Sequence, residues 1–245
     1  MVRGLSILAL FSAFFLSPEI VLAKKPAPPE SASPSSLEFI RTSSEPVSLE
    51  YVLVHFEKFD ARLKSLSADF SQTLTIPDTG MTSAISGSVA YLKPERLRIE
   101  HIRPERQTVV SDGRDIWIHR HEHAQVIQSK LNDWKEADPM MNNLMQFGSY
   151  GKMLKTYDVE LVTGAARPVL LLRPKTGAGE FLLRLELDPS TLFPQVTELL
   201  VGSMRVRTQM TNTLFNPPLK AAEFEFTPPA GCDVFKNFTP PRFSQ

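Results

Sequence analysis

Two long stretches of this chain alternate apolar and polar residues with a period of two. In the first, the apolar side chains fall on odd positions: Ile85, Val89, Tyr91, Leu97, Ile99, Val109 and Trp117. In the second, Phe181, Leu183, Leu185 and Leu187 alternate with Arg184 and Glu186. Successive side chains of a strand point to opposite faces, so both stretches predict strands with one apolar and one polar face.

Turn residues divide the first stretch into hairpins. Breaks fall at Lys93-Pro94, at Arg103-Pro104 and at Asp112-Gly113, and an Asp-Gly pair favours a tight hairpin turn. Further strands are expected near these segments: 158–162, 169–173, 181–188, 196–201, 204–211 and Phe224–Phe226. About ten connected antiparallel strands twist and curl instead of lying flat.

Helices are predicted at the start of the folded part and between the two strand sets. Apolar residues recur every three or four positions from Leu49 to Leu66, after Ser48 as N-cap. Asp138 and Pro139 favour a helix start before Met140–Phe147, and a further turn or two is expected between 150 and 157. The unbranched methionine side chain can repack against ligands of different shape, so this second helix is a candidate lid over an apolar cavity. Its apolar residues are Met140, Met141, Leu144, Met145 and Phe147.

The predicted fold class is therefore mainly β with α (α+β). It is an incomplete antiparallel β-barrel, a half-barrel of about ten or eleven strands. A short helical lid and the N-terminal helix lie over its concave apolar face.

The N-terminus predicts export. Residues 1–23 combine Arg3, an apolar run and, at positions −3 and −1 of the cleavage site, the small residues Val21 and Ala23, the pattern of a cleaved signal peptide. Residues 24–47 are rich in proline and serine and are expected to form a disordered tether. The folded domain is expected at 48–245. No segment after the signal peptide is long and apolar enough to span a membrane.

Charge and motifs exclude several functions. With 27 basic and 27 acidic residues the chain is neutral, which argues against nucleic-acid binding and a polybasic membrane patch. There is no nucleophile elbow or phosphate-binding glycine loop, and the single cysteine, Cys232, has no local histidine. We therefore expect no enzymatic activity and no cofactor. His119, His121 and His123 form a weak metal candidate, because a turn between them would destroy the shared face that metal binding needs.

Three segments carry a family resemblance. Leu66-Ser-Ala-Asp-Phe-Ser-Gln72, the run from Gly87 to Trp117 and the closing Phe224-Glu-Phe-Thr-Pro-Pro-Ala-Gly-Cys-Asp-Val234 resemble the LolA family of periplasmic outer-membrane lipoprotein carriers. The resemblance covers most of 48–234. It implies a half-barrel that holds lipoprotein acyl chains, takes them from an inner-membrane ABC exporter and delivers them to an outer-membrane receptor. It also implies a monomer in the periplasm.

The resemblance assigns roles to particular residues. The cavity would be lined by Val89, Tyr91, Leu97, Ile99, Val109 and Trp117. Family members usually carry arginine at the position of Lys93, where it helps to hold the lid shut, so Lys93 is the candidate latch. Two alternatives on the same half-barrel stay open: a sensor of periplasmic lipids or lipoproteins, and a glycolipid carrier.

Overall fold

In a computed structural model, which describes residues 40, 47–137, 149–163, 166–175 and 181–238, one twelve-stranded sheet dominates the fold. Its strands are β1 Ser65–Ile76, β2 Met81–Leu92, β3 Arg96–Arg103, β4 Gln107–Asp112, β5 Asp115–Arg120, β6 Gln125–Lys130, β7 Tyr157–Val162, β8 Val169–Pro174, β9 Phe181–Leu187, β10 Pro194–Val201, β11 Met204–Phe215 and β12 Asp233–Phe235. They are ordered β12-β6-β5-β4-β3-β2-β1-β11-β10-β9-β8-β7. The first eleven pair antiparallel, and β12 pairs parallel to β6.

The described residues include three α-helices beside the sheet: α1 Leu49–Arg62, α2 Leu131–Ala137 and α3 Tyr150–Leu154. Helix α1 begins as predicted, because the hydroxyl oxygen of Ser48 accepts the backbone N–H of Tyr51 at 3.1 Å. Helix α3 falls within the predicted turns at 150–157. Helix α2 was not predicted. Among the described residues, no helix has both the length and the apolarity needed to cross a bilayer.

One face of the sheet forms the core with α1. Residues that pair across neighbouring strands lie on the same face, so the register aligns them in rows that cross the sheet. Leu199 of β10, Val206 of β11 and Leu74 of β1 make one such row, and all three are buried. Val52, Phe56 and Phe59 of α1 join the same apolar cluster. The structure thus has the predicted mainly β fold with α, an open curled sheet whose apolar face is packed against the N-terminal helix.

The C-terminal segment corrects one strand prediction. Ala221–Phe224 is a short 3₁₀ helix instead of the start of a strand at Phe224–Phe226. This helix packs against β3 and β4, and the side chain of Phe224 is fully buried. Beyond it β12 joins the sheet edge at β6, which raises the strand count to twelve.

Several predictions fall outside the described residues. The signal peptide (1–23) and most of the tether (24–47) belong to this group. So do all five candidate lid residues: Met140, Met141, Leu144, Met145 and Phe147.

Candidate ligand-binding face

Five of the six predicted cavity residues lie together on the inner face, which is the face packed against α1. They are Val89, Tyr91, Leu97, Ile99 and Val109. The register pairs Val89 with Ile99 and Ile99 with Val109, and it pairs Tyr91 with Leu97. All five are buried in the common apolar cluster. Burial also raises the pKa of Tyr91 to about 12, so the phenol stays neutral at any physiological pH.

The sixth residue, Trp117, lies on the opposite face, and its prediction as an inner-face residue is wrong. Paired residues share a face, and side chains along a strand alternate between the two faces. Odd positions therefore stay on one face of a hairpin only when an odd number of residues separates two paired positions. Four residues, 112–115, separate the paired Ser111 and Ile116, so the parity changes at this hairpin. Trp117 therefore pairs with Val110, while Ile116 and Ile118 take the inner face.

The outer face at this end of the sheet is covered by the C-terminal segment. The ring of Trp117 lies 6.3 Å from the ring of Phe226, and His119 lies 5.9 Å from the same ring. Val110, behind them, is fully buried. The aromatic side chain that sequence analysis placed in the cavity thus helps to hold the C-terminal segment against the sheet.

One end of the inner face is only partly covered. Ile76 ends β1, Met204 begins β11 and Val201 ends β10, and these three apolar side chains are partly exposed. Val201 and Met204 are direct cross-strand partners. We call these three residues the open rim. The partial exposure of these side chains shows where solvent reaches the edge of an otherwise buried apolar face.

At the other end, aromatic rings attach α1 to the sheet. The centre of the Phe59 ring lies 5.3 Å from that of Phe215 and 5.7 Å from that of Phe193. The centre of the Tyr150 ring, in α3, lies 5.4 Å from that of the Phe56 ring. These separations suit edge-to-face and tilted ring pairs, so helix α1 has a defined position over this part of the face.

Lys93 contacts α1. Its Nζ donates to the backbone carbonyl of Asp60 at 2.6 Å, and burial lowers the pKa of the Lys93 amine. The Asp60 carboxylate accepts the backbone N–H of Gly151 at 2.8 Å, while burial raises the pKa of this carboxyl. A side chain on Gly151 would place its Cβ 2.9 Å from Cγ of Glu57, so the glycine permits the close approach of α3 to α1. Lys93 and Asp60 thus connect the β2–β3 turn, α1 and α3.

His101 is a buried titratable group on the inner face. It is 6% exposed, and its ring meets that of Phe70 edge-on at 5.9 Å. Burial lowers the pKa of His101 from 6.5 to about 4, although Glu100 opposes this shift. The imidazole is therefore neutral in the folded protein at neutral pH.

We expect this group to make stability fall in mild acid. The pKa of His101 is lower in the folded protein than in the unfolded chain. The neutral imidazole therefore contributes fully to stability above pH 6.5, and this contribution is lost as the pH falls towards 4. The loss should reach about 3 kcal/mol of unfolding free energy. Urea unfolding measured between pH 7.5 and 4 should show this slope in the wild type and a smaller one in His101→Gln. The exposed His123→Gln is the control, and an equal slope in all three proteins would contradict the assignment.

The histidine cluster is divided between different partners. The rings of His119 and His121 are 4.0 Å apart, but His121 Nε2 lies 2.8 Å from the Thr108 hydroxyl, and His123 lies 3.7 Å from Glu105. Cys232 Sγ is 3.7 Å from His119 Nε2. Within the described part of the chain, no three His, Cys, Asp or Glu side chains are grouped to hold a metal ion.

Comparisons with known proteins identify the family of the chain. Residues 61–227 match the family model described as outer membrane lipoprotein carrier protein LolA. An outer-membrane lipoprotein carrier protein of Bordetella avium is 31% identical over 180 residues, which cover 73% of this chain and 84% of that protein. Its counterpart in Methylibium petroleiphilum is 30% identical over 176 residues, with 72% and 85% covered. A crystal structure of a LolA superfamily protein from Nitrosomonas europaea aligns with TM-score 0.42 and 12% identity, over 74% of this chain and 99% of that one.

Proposed function

The chain belongs to the LolA family, and from this membership we propose that it binds the acyl chains of lipoproteins on its inner face and carries them between the two membranes. A carrier role agrees with the names of its relatives, the outer-membrane lipoprotein carrier proteins. The observation that carries the proposal is the largely apolar inner face with its open rim.

The energetics of acyl chains suit such a face. Each methylene removed from water contributes about 0.8 kcal/mol, so ten methylenes are worth about 8 kcal/mol. A carrier must cover this surface and later release it. An open sheet can do so when the receiving protein offers a modestly better apolar site.

The cellular setting follows from the cargo. We propose a periplasmic protein that receives lipoproteins from an inner-membrane ABC exporter and passes them to an outer-membrane receptor. Its signal peptide would be cleaved near Ala23. The work is binding and transfer, with no chemical step and no cofactor.

Two further roles belong to this proposal. The methionine-rich segment at 140–147 would cover the bound chains as a lid. Lys93 would act as the latch by holding α1 and, through Asp60, the start of α3, which follows that segment in the chain. In this proposal Lys93 would act on the lid indirectly, through its contact with α1 and the contact of α1 with α3.

A charge at the open rim tests the proposal. In Val201→Glu a carboxylate replaces a partly exposed apolar side chain of the inner face, and desolvating it beside an acyl chain is unfavourable. We expect the affinity for a fluorescent diacyl lipopeptide to fall at least about tenfold. Fluorescence titration of the purified protein measures this.

The matched control is Leu200→Glu on the outer face of the same strand. Leu200 pairs with Arg205, so the new carboxylate would face a cation there. Its affinity for the lipopeptide should equal that of the wild type. If the wild type shows no saturable binding, or if both variants bind as it does, the proposed function is wrong.

A further inference from the structure

Three polar side chains form a row across the middle of the inner face. Thr197 of β10 pairs with Thr208 of β11, and Thr208 pairs with Gln72 of β1. They are only 2%, 1% and 2% exposed, respectively. We call Thr197, Thr208 and Gln72 the polar row.

Apolar residues surround the polar row. On its rim side lies the row of Leu199, Val206 and Leu74, and on its other side Met210 pairs with Phe70. Leu185 and Ile85 are the next residues across the sheet at its two ends. The polar row is therefore an isolated patch of hydrogen-bonding groups inside an apolar surface.

The hydroxyl of Thr197 differs from the other two polar groups of the row in its hydrogen bonding. The Gln72 amide donates to the Thr208 hydroxyl at 2.8 Å. By contrast, Oγ1 of Thr197 is buried and has no hydrogen-bond partner among the described residues. A buried hydroxyl without a partner is unfavourable, whereas valine has nearly the same shape and would avoid the cost.

We propose that the polar row binds the carbonyl group of an acyl ester or amide, with Thr197 Oγ1 as the donor. This inference rests on the proposed function and adds a position for the polar linkage of the cargo. The carbonyl is the hydrogen-bond acceptor that an acylated ligand carries next to its apolar chain. A hydroxyl donor in an apolar surface is therefore matched by a ligand with one acceptor in an apolar body.

The geometry gives the acyl chain a defined course. The polar row lies four residues from the open rim on each strand: Thr197 from Val201, Thr208 from Met204 and Gln72 from Ile76. At the rise of a strand this is about 13 Å. An acyl chain held by its carbonyl at the row can lie along Leu199 and Val206 towards the rim, and a second chain can lie along Phe70 and Met210.

Removal of the donor and removal of the acceptor test the same hydrogen bond. The probes are a diacylglyceryl lipopeptide and its dialkyl-ether analogue, in which both ester carbonyls are replaced by methylenes. The wild type should bind the ester probe about fivefold to tenfold more tightly. In Thr197→Val the two probes should bind equally, at the affinity of the wild type for the ether. The urea midpoint of this variant should equal or exceed that of the wild type, because the buried hydroxyl is gone.

A control on the same sheet is Thr73→Val, since Thr73 lies exposed on the outer face of β1. It should keep the preference for the ester probe. Equal binding of both probes by the wild type overturns the inference and leaves the carrier proposal intact. So does an equal loss for both probes in Thr197→Val, since that result assigns the threonine a packing role. If neither probe binds the wild type, the proposed function itself fails.

Discussion

An alanine in place of Gly87 is expected to destabilise the protein by about 3 kcal/mol or more. A Cβ at this position would lie 2.0 Å from the carbonyl oxygen of Glu100 and 2.9 Å from Cζ of Phe70. The nearer atom belongs to the backbone of β3, which cannot move away without disturbing the pairing of β2 with β3. Urea unfolding followed by circular dichroism at pH 7.5 measures the loss.

The control for this prediction is Ser88→Ala, one residue further along β2. It should unfold within about 0.5 kcal/mol of the wild type, as partly exposed positions usually do. A Gly87→Ala protein that unfolds at the wild-type midpoint would contradict the close approach of β2 and β3. In that case the pairing of Val89 with Ile99 beside it would also need revision.

The inner face was largely predictable because its pattern is local. Alternation identifies the apolar side of one strand, and Val89, Tyr91, Leu97, Ile99 and Val109 were assigned correctly to one face in this way. The assignment failed at Trp117 because parity depends on which residues pair across a hairpin. The Asp112-Gly113 turn was recognised, but the number of residues between paired positions is a property of the folded hairpin.

The C-terminal segment was harder to predict because its structure depends on distant partners. Two aromatic residues at alternate positions, Phe224 and Phe226, suggested a strand. Phe224 instead begins to cover the outer face of β3 and β4 from a 3₁₀ helix, and Phe226 packs on Trp117. Tertiary packing overrides weak local preference in such a short segment.

One member of the polar row could be recognised in the sequence, but the row itself could not. Gln72 stands on the same face of its strand as Phe70 and Leu74, which marks it as a polar residue in a buried position. Its neighbours Thr197 and Thr208 lie more than 120 residues away along the chain. Only the register of β10, β11 and β1 brings the three together.

Truncation of Phe59 to alanine should remove about 3 to 5 kcal/mol of unfolding free energy. The side chain is 3% exposed, and its ring contacts Phe193, Phe215 and Tyr150. Its removal leaves a cavity between α1 and the sheet, and the rigid aromatic neighbours cannot fill it. Thermal and urea unfolding at pH 7.5 measure the change.

The same substitution should loosen the attachment of α1 to the inner face. Amide exchange of α1 should then become faster than that of β1 in Phe59→Ala, because the helix loses its central contact while the strand keeps both partners. Phe235→Ala is the control, since that ring is 50% exposed and should be worth less than about 1 kcal/mol. If Phe59→Ala unfolds like this control, aromatic packing does not attach α1 to the sheet. The attachment would then rest on polar contacts. Asp60 contacts Lys93 and Gly151, and His55 contacts Thr191.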